Sequence, residues 1–235
     1  MAISQKYGRT YHYPFSQGTT SDDRIQQDYW QHIQQIPTLI HTEKLDGENN
    51  CLSRLGVFAR SHAAPTVSPW TESLRRFWQL IRHDLGDLEI FLENLYAVHS
   101  IEYRRLEQHF YVFGIRENDR WLSWEESQFY AQLLDLPMVP VVKIEQQAQN
   151  QQQFEREMLE LVNGAGAFDP YDVNDHKQTT MEGIVSRNAD GYPVNAFAEN
   201  VFKYVRKGHV KTDEHWSRNW KRASLINERG KYVDL

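Results

Sequence analysis

At 235 residues, with a formal net charge of −6 and 40% hydrophobic residues, the chain has the length and composition of one fairly large soluble domain, or of one domain with a small appendage. No apolar run approaches the roughly 20 residues that a bilayer span requires, and the N-terminus MAISQKYGRTYHYPF lacks the apolar core of a secretory signal. The single cysteine, Cys51, excludes an internal disulfide and a cysteine-based zinc site, so a reducing, cytoplasmic setting without a membrane partner is expected.

In chain order, SDDRIQQDYWQHIQQI opens on Ser21 as a cap, carries Ile25, Tyr29, Ile33 and Ile36 on one stripe, and stops at Pro37, which predicts a helix. TLIHTEKL (38–45) and GVFARS (56–61) read as strands. WTESLRRFWQLIRHDLG places Leu74, Phe77, Trp78, Ile81 and Leu85 on one face and ends at Gly86, a second helix. LEIFLENL (88–95) and FYVFGIR (110–116) are strand-like. SWEESQFYAQLLDLP begins with a capping box of Ser123 and Glu126 and ends before Pro137. VPVVKI (139–144) is a further strand, and QQAQNQQQ (146–153) is a solvated loop or helix start. The fourth helix, FEREMLELVNG, ends at Gly164, and EGIVSR (182–187) and NVFKYV (200–205) close the series. Short strands interspersed with helices predict an α+β domain of mainly antiparallel sheet.

The strand-like runs carry unexpected charges: Arg60, Glu93, Glu182, Arg187 and Lys203. A buried charge costs several kcal/mol unless it is paired, so these strands are expected to converge on one polar site. Cations (Lys44, Arg60, Lys203) suit phosphates, carboxylates (Asp46, Glu93, Glu182) suit Mg²⁺ and ribose hydroxyls, and Tyr111 or Phe113 offers a face for a base. That inventory describes a nucleotide site, although Glu182 and Lys203 could equally form an ordinary interstrand ion pair. No glycine-rich phosphate loop of the GxxxxGK[ST] or GxGxxG type is present. Lys44 reads as a candidate nucleophile, its pKa expected to be lowered by a neighbouring cation such as Lys203 and by a metal. The region from Lys203 to Lys231 holds nine basic residues against three acidic ones, a candidate phosphate-binding face. His62 and His99 flank motifs and read as structural histidines, and Cys51 as a core residue.

EKLDGEN (43–49) resembles the KxDG motif of the covalent nucleotidyltransferases, the superfamily of ATP-dependent DNA ligases, RNA ligases and mRNA capping enzymes. KLDG (44–47), FARS (58–61), FLENLYAVHS (91–100), FYVFGI (110–115), MEGIVSR (181–187) and VFKYVR (201–206) stand in that superfamily's order. Glu43 before the lysine, Asn49, and the EGIVxR form resemble the RNA ligase branch.

The resemblance implies a nucleotidyltransferase domain over residues 1–210, built of antiparallel sheets with flanking helices. The superfamily's DNA ligases and capping enzymes continue into an OB-fold domain; with about 30 residues after the last motif, none is expected here, only a short, basic, helical tail over 211–235. Lys44 would attack the α-phosphate of ATP to give a lysyl-AMP. Asp46 and Gly47 would complete the nucleotide-binding turn, and Glu43 would sit at the adenine edge. Asn49 and Arg60 would orient phosphates or the RNA end, and Glu93 would hold the ribose. Phe113, or else Tyr111, would stack on adenine. Glu182 would hold Mg²⁺ or Mn²⁺, and Lys203 would neutralise the phosphate. The usual KxK reads Lys203-Tyr-Val-Arg206 here, leaving the second lysine's duty to Arg206 or Lys207. AMP would then pass to an RNA 5′-phosphate, and a 3′-hydroxyl would seal the strand. The basic run over 207–231, with Lys211, Lys221 and Arg222, or a partner protein is expected to grip the RNA, and Trp216 and Trp220 read as packing residues or, alternatively, as stacking faces for bases. The alternatives are a DNA ligase, a GTP-dependent capping-type enzyme, and a non-catalytic nucleotide- or RNA-binding module.

Overall fold

The computed structural model describes residues 6–61, 63–208 and 216–229. Its strands are β1 (Tyr11–His12), β2 (Thr38–Lys44), β3 (Glu48–Ser53), β4 (Gly56–Ala59), β5 (Leu88–Asn94), β6 (Ile101–Tyr103), β7 (Phe110–Glu117), β8 (Arg120–Trp121), β9 (Val141–Gln146), β10 (Pro170–Asp172), β11 (Gly183–Asn188), β12 (Tyr192–Pro193) and β13 (Val201–Val205). A five-stranded sheet runs β1-β13-β11-β2-β9, a six-stranded sheet runs β12-β8-β7-β5-β3-β4, and β10-β6 form a ribbon. Every pairing between these strands is antiparallel except β1 with β13. The expected α+β architecture of antiparallel sheets with flanking helices is what the chain adopts.

Period-two alternation divides each strand between two cores. In β2, Leu39 joins Ile33, Phe154, Met158 and Phe202 on the outer face of the five-stranded sheet, beneath α1 (Tyr29–Ile33) and α4 (Gln151–Val162). Ile40 faces the other way, into a core shared with Phe91, Phe113 and Val201, where the two sheets meet. Leu74, Ile90, Val112 and Ala131 fill a third core between the six-stranded sheet and α2 (Glu72–Ile81) and α3 (Trp124–Leu133). The predicted capping box is formed: Ser123 Oγ accepts from the Glu126 N–H (3.1 Å) and Glu126 Oε2 accepts from the Ser123 N–H (2.8 Å). In the glutamine-rich run, Asn150 caps α4 by accepting from the Gln153 N–H (2.9 Å).

Two expectations need correction. The helix predicted from Ser21 is helical only over Tyr29–Ile33. Asp23 accepts from the Thr20 N–H, and residues 24–26 exchange backbone hydrogen bonds with His12, so this stretch pairs with β1 instead of coiling. The described part of the C-terminal stretch, residues 216–229, is a strap packed on the domain. Trp216–Arg218 form a 3₁₀ turn, the Val98 N–H donates to the Lys221 carbonyl and the Ala223 N–H to that of Tyr96, and α6 (Ile226–Arg229) follows the one-turn α5 (Phe197–Asn200). Ala223 belongs to the inter-sheet core. His62 and Lys211 lie outside the described residues. Among those described, no helix is long and apolar enough to cross a membrane.

Candidate active site

Lys44 is the last residue of β2, opposite Gly183 of β11, and shares the inner face with Thr42. The turn after it is held from three sides. Asp46 Oδ2 accepts from the N–H groups of Ser100 (2.8 Å) and Ile101 (2.9 Å), its own N–H donates to Tyr103 Oη (2.8 Å), and the Gly47 N–H donates to Glu93 Oε1 (3.0 Å). A Cβ at position 47 would lie 2.5 Å from the Asn94 carbonyl, so only glycine permits this approach. The spacing of Lys44, Asp46 and Gly47 thus has a physical reason: it joins the end of one sheet to the other and presents Lys44 between them.

The space between is a cavity of about 500 Å³, within the range of small-molecule sites. The five-stranded sheet contributes Thr42, Lys44, Val185, Arg187 and Lys203, and the six-stranded side Asn49, Arg60, Glu93 and Phe113. Glu43, Leu45, Gly47, Val139 and His99 also line it, as do Tyr7, Gly8 and Thr10 of the N-terminal arm. Lys44 Nζ donates to Glu182 Oε2 at 2.7 Å. Lys203 lies beside Val185 on the adjacent strand and pairs with Asp23 (3.6 Å), so the interstrand Glu182–Lys203 pair considered from the sequence is not formed.

The protonation of Lys44 also corrects the sequence reading. Enclosure by protein lowers its pKa, but Glu182, Glu93 and Asp46 together outweigh that effect, and the net shift is upward. The depressed value belongs to Lys203, lowered first by burial and then by Lys44. Burial pushes Glu93 up to about 8 and Asp46 up to about 7, with neighbouring carboxylates adding to the shift and Lys44 opposing it. Three carboxylates therefore surround one ammonium.

The remaining candidates divide. Phe113 lines the cavity with Tyr7 edge-on against it (5.1 Å), whereas Tyr111 packs on Phe168 (4.8 Å) outside the cavity wall. Asn49 Oδ1 is buried with no hydrogen-bond partner among the described residues. The Glu43 carboxylate is 2% exposed. Its Oε2 accepts from the Ala167 N–H (2.7 Å), its Oε1 has no partner among the described residues, and burial pushes it up to about 7. Asp46 and Arg206 are not part of the cavity lining: Asp46 braces the 100–101 loop, and Arg206 Nε donates to the Met181 carbonyl (3.1 Å). Among the described residues no three His, Cys, Asp or Glu side chains form a protein-only metal cage. Mg²⁺ ordinarily takes one or two carboxylates and completes its shell with phosphate and water, and Glu182, 3% exposed beside the cavity's lysine, fits that role.

Sequence reasoning passed over the N-terminal arm and the part played by Arg187, which donates to the Phe113 carbonyl and to Thr42 Oγ1 (3.4 Å) and so ties the two sheets behind the cavity. Arg187 had shown itself as a charge inside an apolar strand; Tyr7 and Thr10 carried no such signal.

A family model described as RNA ligase matches residues 37–205. The chain belongs to the RNA ligase family. Solved RNA ligases share its fold. A Naegleria gruberi RNA ligase mutant in apo form aligns over 83% of this chain and 57% of its own, at 19% identity and a TM-score of 0.55. Another mutant of that ligase, with AMP and Mn, aligns over 89% and 58%, at 17% identity and a TM-score of 0.56. An archaeal ATP-dependent RNA ligase aligns over 83% and 48%, at 17% identity and a TM-score of 0.50. The chain thus spans less than two thirds of the length of these RNA ligases. No curated protein matches. The part matched by the RNA ligase model contains Lys44, Glu93, Phe113, Glu182 and Lys203, and begins after the N-terminal arm.

Proposed function

We propose that the chain carries the nucleotidyltransferase machinery of an ATP-dependent RNA ligase, joining an RNA 5′-phosphate to a 3′-hydroxyl through a lysyl-AMP at Lys44. The observation that carries the reading is Lys44 Nζ at the polar end of a nucleotide-sized cavity, against Glu182 and within a frame of Lys203, Arg60 and Glu93.

Lys44 Nζ attacks the α-phosphorus of ATP, the bond to the bridging oxygen breaks, and pyrophosphate leaves. An oxygen of the RNA 5′-phosphate then attacks the same phosphorus and the P–N bond breaks, which frees Lys44 and leaves an adenylylated RNA end. The 3′-hydroxyl attacks the RNA phosphate, and AMP departs. In this scheme Phe113 and Val185 flank adenine, and the unpartnered Glu43 Oε1 accepts from its exocyclic amine. Glu93 accepts from ribose hydroxyls, while Lys203 and Arg60 offset phosphate charge. Mg²⁺ or Mn²⁺, held by Glu182 and the phosphates, supplies charge neutralisation at the phosphate when bound. Because Glu182 holds Lys44 as the ammonium, attack requires that this pair loosen in the nucleotide complex and that Nζ give up a proton, to Glu182 or to water, so that its lone pair is free. Most of the chemistry is positioning and charge stabilisation.

The test is incubation with α-labelled ATP or GTP and Mg²⁺, denaturation, and a search for label on the protein, followed by a chase with 5′-phosphorylated RNA or DNA. Label from ATP that moves to RNA supports the proposal. Equal labelling by GTP would point to capping-type chemistry, transfer to DNA alone to a DNA ligase, and no label to a binding module.

A further inference from the structure

The N-terminal arm does more than close one wall of the cavity. Its strand β1 forms the one parallel strand pairing among the described residues, with His12 in register with Lys203 of β13. Residues 24–26 then run parallel to β1 along the other edge of His12: its N–H donates to the Arg24 carbonyl (2.8 Å), and its carbonyl accepts from the Gln26 N–H (2.9 Å). This parallel bridge sets Asp23 beside the Lys203 side chain. Asp23 Oδ1 lies 3.6 Å from Lys203 Nζ and 3.1 Å from His12 Nε2, the latter a close contact rather than a well-aligned hydrogen bond. Asp23 Oδ2 accepts from both the N–H and the Oγ1 of Thr20 (3.0 Å each). His12 is itself fixed, 1% exposed, with Nδ1 2.8 Å from Ser16 Oγ, which accepts from the Val205 N–H (3.0 Å).

An ordinary surface ion pair joins two mobile side chains and specifies little geometry. Here the carboxylate is immobilised before it meets the lysine, and the fixing chain begins and ends on β13, at Val205 and Lys203. No other carboxylate among the described residues lies within ion-pair reach of Lys203.

We infer that Asp23, locked by Thr20, His12 and Ser16, is a positioning residue that aims the Lys203 ammonium at the α-phosphate, making the N-terminal arm part of the catalytic apparatus. The inference rests on the reading of Lys203 as the cation that neutralises that phosphate. Correct placement of such a group matters steeply, since a misplacement of about 1 Å is enough to cost about 100-fold in rate.

The experiment measures single-turnover formation of labelled lysyl-AMP in the full chain, with half-saturating ATP and the thermal midpoint recorded alongside. Asp23→Asn is expected to slow the step about 10- to 100-fold while half-saturating ATP moves less than about threefold and the midpoint holds. Asp23→Glu, which keeps the charge, is expected to recover part of the rate. A wild-type rate in Asp23→Asn overturns the inference, as does a loss that tracks a fallen midpoint and is not recovered by Glu. If Asp23→Asn does not fold, Thr20→Ala releases Oδ2 with the charges intact and should slow the same step to a lesser degree; a wild-type rate there overturns the inference. Lys203→Ala separates the two levels of the argument. If it labels at the wild-type rate, the reading of Lys203 itself is wrong; if it is slow while the Asp23 variants are normal, only the positioning role fails.

Discussion

Two of the buried ionic groupings among the described residues are built on opposite principles. In the six-stranded sheet Arg116, 0% exposed, gives Nε (2.7 Å) and Nη2 (2.6 Å) to Glu89 Oε2 and Nη1 to the Lys6 carbonyl (3.3 Å). Its guanidinium rests over Phe91 (5.0 Å) and Trp121 (5.2 Å). Among the described residues one cation meets one anion under an aromatic cover. Around Lys44, one ammonium faces Glu182, Glu93 and Asp46, beside a second cation whose pKa is depressed, and the group opens into a cavity. The first arrangement is complete as it stands. The second is unbalanced, and under the proposed function a ligand that brings phosphates, hydroxyls and a metal completes it, in keeping with the tendency of perturbed groups to mark functional sites.

The largest effect expected from breaking this contrast is at Lys44. Lys44→Arg keeps the positive charge beside Glu182 but supplies a guanidinium that stays protonated and cannot attack phosphorus. Covalent labelling by ATP should fall to background while the circular dichroism spectrum stays that of the parent; retained label on the folded variant would remove Lys44 from its role.

The counterpart in the balanced pair is Arg116→Met. It removes the guanidinium from beside the partly buried Glu89, a loss expected to cost about 3 kcal/mol of stability in urea unfolding. Below its unfolding transition the variant should form lysyl-AMP at close to the parental rate. Stability within error of the parent, or a folded protein unable to label, would show that the two groupings are not separate in function.

Glu93→Gln tests the unbalanced side from the direction of stability. An ordinary glutamate titrates near 4.5, whereas Glu93 in the folded chain is raised to about 8, chiefly by burial. Between those values the folded protein holds a proton that the unfolded chain has lost, so this residue's contribution to stability falls as pH rises through the window. Gln removes the titration, and one pKa unit corresponds to about 1.4 kcal/mol. The urea midpoint of Glu93→Gln should therefore decline less between pH 5 and pH 8 than that of the parent, with ATP bound more weakly. The difference between the two proteins isolates Glu93 from His12, His41 and His109, whose lowered pKa values act in the opposite sense. Parallel pH curves would contradict the assignment.

This contrast also explains what could be read from the sequence. Lys44, Glu93, Glu182 and Lys203 were visible because a charge inside an apolar run demands an explanation, and the spacing of Lys44 and Gly47 follows from a backbone approach that admits no Cβ. The state of Lys44 was misread because it depends on distances to three carboxylates, and the sequence carries neighbours but no distances. β3 went unnoticed because ENNCLS looks polar; Asn50 is buried, and its side chain bonds to Asn94 and Glu48. The arm around His12 was illegible for a different reason: it is ordered by pairing with Lys203, far along the chain, which no local pattern encodes.

The smallest expected effects lie in the C-terminal strap, and they separate its two adjacent cations. Arg222 gives Nη1 (2.8 Å) and Nη2 (2.6 Å) to the Glu228 carboxylate and lies over the Tyr96 ring (5.5 Å), so it is occupied in holding the strap. Lys221 is exposed, and among the described residues only its carbonyl is engaged, by the Val98 N–H. The neighbouring loop carries His99, which lines the cavity, so Lys221 stands on the approach to the site. Under the proposed function Lys221→Glu should leave lysyl-AMP formation and stability unchanged, weaken RNA binding, and reduce the slope of log affinity against log salt by about one, the signature of a lost phosphate contact. Arg222→Glu should instead set two carboxylates against each other and lower stability by about 0.5 kcal/mol, the scale of an exposed pair, with a smaller change in salt slope. Binding measured by filter retention across a salt series, beside urea unfolding, distinguishes the two. If the variants exchange behaviours, Arg222 reaches RNA despite Glu228 and the strap is held by its backbone and Ala223; if neither alters the slope, RNA approaches the cavity from another side.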